Sequence, residues 1–277
     1  NNLENFKYLQ LNFSDKNELH KNQSIFHDCD VLIHLGARAG VRQSFNDPEK
    51  YLMDNTLGTI NLSLQVKENN IPKFIIASTS SIYGDTGEQL AVENKDELLY
   101  PPSIYASTKS FGEILAQNIL EDTNTHIQIP RFFTVYGPYG RPDMSILRFI
   151  HWIMENKEVI IFGDGEQRRS FTYIDDVVEL LLKVQNCDSS ETFNVGNNKT
   201  SSLNEVIKII ENFSNKEARV NNQPRAFRDP DVVLPSLSKS KQILDWEPST
   251  NIEEGIKSTI EWYSSFQDKI KDYTYIE

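Results

Sequence analysis

The order of apolar runs along this chain predicts a doubly wound, parallel α/β sheet carrying a smaller mixed α/β part. Three observations lead there. Short apolar segments that fit strands alternate with longer helical patterns through the first half. The strand segments are apolar on both faces, as a sheet covered on both sides requires. Small and hydroxyl-bearing residues follow the strand ends, where open sheets of this kind bind their ligands.

Residues 6–11 alternate like a short strand, and residues 31–35 form a compact apolar run ending in Gly36. Asp47 as cap and Pro48 in the first turn open a helix to about Glu68. Residues 73–77 read as a strand, 105–120 as the next helix and 127–132 as the strand after it. In such a sheet Gly36, the run 78–81 and Thr134 lie at the carboxyl ends of strands. From Gly137 the pattern loosens into helices over 145–156, 174–185, 203–213 and 252–266, separated by loops rich in Gly, Pro and Asp. The expected division is 1–136 for the parallel sheet and 137–277 for the smaller part, with the chain crossing between the two.

A net charge of −12 argues against nucleic acid or an anionic membrane as partner, because phosphate contacts need clustered Lys and Arg. A small anionic ligand needs only two or three placed cations and stays open. The two cysteines, Cys29 and Cys187, lie far apart without CxxC spacing, which fits reduced thiols. No compact histidine pattern calls for a metal: His20, His27 and His34 recur every seven residues, but the last falls in a strand. No apolar run reaches bilayer length and no signal peptide is evident, so the expected location is the cytoplasm.

The chemistry concentrates in Tyr105-Ala-Ser-Thr-Lys109. On a helix this spacing puts both side chains on one face. An ammonium beside a phenol favours phenolate, pulling the tyrosine below its usual value of about 10. Such a tyrosine removes a hydroxyl proton while an adjacent nicotinamide accepts hydride. Ala77-Ser-Thr-Ser-Ser-Ile-Tyr-Gly84 adds a hydroxyl cluster at a strand end shortly before it.

From residue 6 to 263 the chain resembles the extended short-chain dehydrogenase/reductases, specifically their nucleotide-sugar 4-epimerases. The resemblance rests on Val31-Leu-Ile-His-Leu-Gly-Ala37, Asp54-Asn-Thr-Leu-Gly-Thr59, Arg131-Phe-Phe-Thr-Val-Tyr-Gly-Pro138 and Arg169-Ser-Phe-Thr-Tyr-Ile-Asp-Asp176. Phe193-Asn-Val-Gly196 and Leu244-Asp-Trp-Glu-Pro248 follow in the family's order. The resemblance implies a Rossmann-like sheet with a nucleotide-sugar-binding part and bound NAD. It makes Tyr105 the base, Lys109 its tuner and ribose ligand, and Thr79 the third hydroxyl of the triad. It places Asn12 and Phe13 at the adenine, Leu35, Gly36 and Ala37 along the pyrophosphate, and Asn55 behind the site. It also implies a homodimer built from the helices at 48–68 and 105–120.

The family begins with a strand, a Gly-x-x-Gly-x-x-Gly turn and a helix, and the chain resembles the family only from beyond them. A missing N-terminal βα portion is therefore expected, and with it weak NAD binding by the chain alone. Gly36-Ala-Arg-Ala-Gly40 does not have the spacing to substitute. Two motifs also depart: Ser170 stands where the family has Asp, and Arg225-Ala-Phe-Arg228-Asp229 stands for Arg-x-Gly-Asp. Arg169 and either Arg225 or Arg228 are expected near the substrate diphosphate.

Dehydratases and decarboxylases of this kind place a carboxylate after the catalytic hydroxyl. Here Ser80 and Ser81 occupy those positions, and neither performs carboxylate acid–base work at neutral pH. Epimerisation at carbon 4 is the expected reaction. Gly140-Arg-Pro-Asp-Met144 and Gly40-Val-Arg42 with Ser44 resemble UDP-glucuronate 4-epimerases. Thr79, Ser80 and Ser81 are suited to hold a sugar carboxylate, with Arg42 nearby. UDP-glucose or its N-acetyl relative is the alternative sugar; a dehydratase, a decarboxylase and a non-catalytic binding remnant are the alternative functions.

Overall fold

The structure, a computed structural model, describes residues 5–87, 89–94, 100–225 and 232–270, the last four without their side chains. Asp15 caps α1 (Lys16–Lys21), accepting the Asn17 and Glu18 N–H groups. After β1 (Val31–His34) come α2 (Val41–Ser44) and α3 (Pro48–Tyr51), the second capped by Asp47 as expected. The helix read over 48–68 is real but not uniform. A π-helical turn, Leu52–Leu57, joins α3 to α4 (Gly58–Glu68).

β2 (Lys73–Ile76) and β3 (Ser78–Thr79) lead to β4 (Leu90–Ala91) and α5 (Ile104–Leu120). β5 (His126–Phe132) is followed by β6 (Thr134–Tyr136), α6 (Ser145–Met154) and β7 (Glu158–Phe162). Next are β8 (Arg168–Arg169), β9 (Phe171–Tyr173), α7 (Ile174–Val184) and β10 (Glu191–Val195). The remainder is β11 (Ser201–Ser202), α8 (Leu203–Ser214), β12 (Arg219–Gln223), β13 (Leu234–Pro235), α9 (Ser238–Leu244) and α10 (Ile252–Ile270).

The main sheet is parallel throughout, in the order β1-β2-β5-β10, with β3 also paired to β5. Alternation along β2 sorts its side chains between two cores. Phe74 and Ile76 pack with Leu62 and Val66 of α4 and Ala116 and Leu120 of α5. Ile75 faces the other way, onto Val177 and Leu180 of α7 and Trp246 after α9. Complete burial of one such side chain stabilises the fold by about 1.5–3 kcal/mol. A third core joins α6, α8 and α10 through Phe149, Ile150, Ile210, Ile256 and Tyr263.

Two features bear on the sequence reading, one of them against it. β10 lies beyond residue 137 yet returns to the main sheet beside β5, one crossing of the kind expected. Residues 6–11 form no strand; Phe6 is 70% and Tyr8 76% exposed. Alternation marks a segment able to pair, but a strand forms only where a neighbour supplies the ladder, and among the described residues none lies beside it.

Candidate active site

Thr79 ends β3 opposite Phe132, at the carboxyl end of β5. Its hydroxyl accepts the Ser81 N–H, and donates to the Ser81 hydroxyl, both at 3.1 Å. The same Thr79 hydroxyl acts on the Tyr105 phenol and lowers its pKa. Ser103 starts α5 by accepting the Ala106 N–H at 3.1 Å, which sets Tyr105 in the first turn and Lys109 one turn on. The triad predicted from sequence is therefore one cluster.

Lys109 is 5% exposed, and burial lowers its ammonium to a pKa of about 8. Burial also dominates at Tyr105 and raises the phenol above its ordinary value, against lowering by Thr79 and the Arg141 charge. This corrects the direction expected from the lysine pair: losing water outweighs the Thr79 hydrogen bond and the Arg141 charge in the protein alone. His34, at the end of β1, is neutral with a pKa of about 3, first through burial and then through the Lys109 charge.

The loop after β1 is open where a ligand is expected: Leu35 and Ala37 are exposed and Gly36 is half-buried. A side chain at Gly36 or Gly58 would strike the ring of Phe13, which is wedged between them and packs edge-on against His34. Asn12 is exposed, with its N–H on the Glu18 carboxylate at 2.8 Å. Asn55 is buried and its amide is engaged. It accepts the Arg38 N–H at 2.7 Å and donates to the Arg38 carbonyl and the Thr108 hydroxyl. The π-helical turn carrying Asn55 thus pins the loop to α5, an arrangement frequent near functional sites.

The expected substrate residues are less tightly gathered. Ser80 and Ser81 are half-buried in a 3₁₀ turn after Thr79. Thr134 and Arg141 line one small cavity of about 10 Å³, room for a single water. Arg42 is exposed on α2 and stacks on Phe162, its guanidinium 4.5 Å from the ring centre. Arg169 is half-buried and donates to the Arg168 carbonyl at 2.8 Å. The alkyl part of Arg225 packs against Gly163, and Arg228 lies outside the described residues.

Sequence reading gave no role to Tyr51 or Glu113, and it named Ser44 and Arg131 only as parts of motifs, without the Tyr105 and Glu113 partners the structure gives them. Glu113 carried a signal of its own, as the next position on the Tyr105–Lys109 stripe. Among the described residues, no group of three or more His, Cys, Asp and Glu is arranged to hold a metal, and no helix is long and apolar enough to cross a membrane.

The family profile described as GDP-mannose 4,6 dehydratase matches residues 1–259. The chain is 40% identical to a UDP-glucuronate 4-epimerase of Thermodesulfobacterium geofontis, over 97% of this chain and 82% of that protein. Among solved structures it is similar to UDP-glucuronic acid 4-epimerase of Bacillus cereus in complex with UDP-glucuronic acid and NAD. That match has 33% identity and a TM-score of 0.83, covering 88% of this chain and 78% of the other. UDP-glucose 4-epimerase of Thermotoga maritima, with UDP-glucose, matches with 26% identity and a TM-score of 0.88, covering 96% and 88%.

Proposed function

Because the chain belongs to the NAD-dependent epimerase/dehydratase family of short-chain dehydrogenase/reductases, we propose that it inverts carbon 4 of UDP-glucuronate, giving UDP-galacturonate through a transient 4-keto sugar. The observation that carries this reading is the Thr79–Tyr105–Lys109 cluster with its surrounding carboxylates already engaged. Glu113 is paired with Arg131, Asp143 with Arg141 and Asp54 with Arg38. Ser80 and Ser81 add hydroxyls in place of an acid. Among the described residues these carboxylates are paired and not free to drive dehydration, so a ketone formed here takes hydrogen back at carbon 4.

The residues fit NAD. The Lys109 ammonium is buried yet has no hydrogen-bond or ion-pair partner among the described residues, as a ribose-binding lysine requires. Leu35, Gly36 and Ala37 present open backbone at the end of β1. Bound there, NAD supplies reversible hydride chemistry at carbon 4. Tyr105 takes the proton of the 4-hydroxyl and returns it to the same oxygen when hydride comes back to the other face of carbon 4. Thr79 orients the phenol, and Lys109 in its charged form favours phenolate. Ser80, Ser81 and Thr134 hold the sugar, while Arg42, Arg169 and the segment with Arg225 and Arg228 offer cations to its anionic groups.

Residues 1–136 form the greater part of the cofactor side and 137–277 mainly the sugar-nucleotide side. The enzyme works in the cytoplasm as a homodimer. Exposed Leu52, Met53 and Phe111 on the π turn and α5 supply an apolar face for the second copy. Proton NMR of UDP-glucuronate incubated with protein and NAD tests the function. The expected product is UDP-galacturonate, lost in Tyr105→Phe. Turnover of UDP-glucose alone would move the sugar assignment, and no turnover with any UDP-sugar would favour a non-catalytic binding protein.

A further inference from the structure

Beneath the triad lies a buried charged network that the reaction itself does not use. Glu113 and Arg131 are 1% and 2% exposed. Arg131 holds the carboxylate with two bonds, Nε at 3.2 Å and Nη2 at 2.8 Å, while the Ser78 hydroxyl donates to it as well. The third arm of Arg131 donates to the Tyr83 hydroxyl at 2.9 Å, which donates to Asn194 at 2.7 Å. This network meets the catalytic residues at three points. Ser78 precedes Thr79, Tyr83 closes the turn that begins at Ser80, and Glu113 lies one helical turn beyond Lys109.

Desolvating an ion pair is costly, and an apolar pair of similar volume often stabilises as well or better. Stability alone therefore gives a weak reason for this pair. Its position gives a stronger one. Tyr105, Lys109 and Glu113 follow at i, i+4 and i+8, so they share one stripe of α5.

We propose that Glu113, fixed by Arg131 and Ser78, is the counter-charge that keeps Lys109 cationic, and so acts as a positioning residue for the Tyr105–Lys109 pair. This rests on the proposed role of that pair. The charged and titratable groups that act with Lys109 are Glu113, one turn on along its own helix, neutral His34 from β1 and, beyond the carboxylate, Arg131 from β5, with Tyr105 one turn back on the same stripe. Glu113 is the anion in that set. Of the pair, the carboxylate is the charge that acts on Lys109, raising its pKa against the effect of burial. Without it, a fully buried ammonium sheds its proton near neutral pH and loses its hold on the phenolate.

The test is an NMR titration of protein carrying ε-¹³C-lysine, with the Lys109 signal assigned by its loss in Lys109→Met. It needs neither substrate nor cofactor, so it stands apart from whether the protein epimerises any sugar. The expected result is a Lys109 midpoint lowered by about one unit or more in Glu113→Gln. Glu113→Leu/Arg131→Met, which removes both charges and keeps an apolar core, is expected to lower it likewise. The alkaline limb of kcat/KM for UDP-glucuronate should move to lower pH by the same amount. A folded variant of either kind whose Lys109 titrates as in the parent protein would overturn the proposal. A shifted midpoint in a protein that epimerises nothing would leave it standing and defeat the function.

Discussion

The Ser44 hydroxyl accepts the backbone N–H of Tyr105 at 3.1 Å, across 61 residues of sequence, while donating to the Val41 carbonyl at 2.6 Å. First-turn N–H groups of a helix have no partner within it. At α5, Ser103 satisfies Ala106 and Ser44, fully buried, satisfies Tyr105. The turn that delivers Ser44 starts at Gly40, whose φ of +109° suits glycine. It is anchored by the Tyr51 hydroxyl on the Ala39 carbonyl, and the Tyr51 ring lies edge-on to Tyr105 at 6.4 Å. The loop after β1 therefore sets the position of the base.

Ser44→Ala should leave the Tyr105 N–H buried and unsatisfied, at a cost of about 1–3 kcal/mol of stability. The larger effect is expected in kcat, lowered roughly tenfold with KM little changed, because a small displacement of the base is felt in the reacting geometry. Steady-state kinetics beside thermal melting checks this. Lower stability with an unaltered kcat would reduce Ser44 to a packing role.

His34 ties acid sensitivity to the fold. Its folded pKa of about 3 lies below the ordinary 6.5, through burial first and the Lys109 charge second. Between these values the unfolded chain binds the proton and the folded chain does not, so stability present above pH 6.5 is lost as pH falls toward 3. At pH 5 the loss from this one group is about 2 kcal/mol. In His34→Gln, chemical denaturation at pH 7.5 and pH 5 should show a correspondingly shallower fall. An unchanged fall would assign the acid sensitivity elsewhere.

The proposed dimer is tested at Phe111, 57% exposed on α5. In a two-fold interface one substitution acts twice. Phe111→Glu should weaken association by about a hundredfold or more, through two lost apolar anchors and a buried like-charge pair. Light scattering at low micromolar concentration should then report a monomer where the parent protein is a dimer. A parent protein that is already monomeric would remove the dimer from the account.

What was legible in the sequence follows from which interactions are local. The strands at 31–34 and 73–76 were readable as compact apolar runs, and 126–132 from its buried Ile127 and Ile129 although Gln128 and Arg131 interrupt it. Tyr105, Lys109 and Thr79 were readable because helix periodicity and a strand end place them without help from distant chain. Residues 6–11 were misread because alternation reports capacity to pair, and no pairing partner stands beside them among the described residues. The π turn at 52–57 left no mark, since Asn55 takes its partners from Arg38 and Thr108, distant in sequence. The same holds for Ser44 on Tyr105 and Arg131 on Glu113. Ser170, noted as losing a carboxylate, turned out to clamp the loop after β10, bonding both the carbonyl and the N–H of Asn197. Its partner lies 27 residues on, beyond any local pattern.

In the proposed reaction hydrogen leaves carbon 4 and returns to the same carbon on its other face while Tyr105 handles the proton. UDP-glucuronate deuterated at carbon 4, incubated with protein and NAD and followed by NMR, tests it most directly. The expected product is UDP-galacturonate with deuterium retained at carbon 4, and none from Tyr105→Phe. Carbon dioxide release, a deoxygenated sugar, or loss of the deuterium to solvent would contradict it.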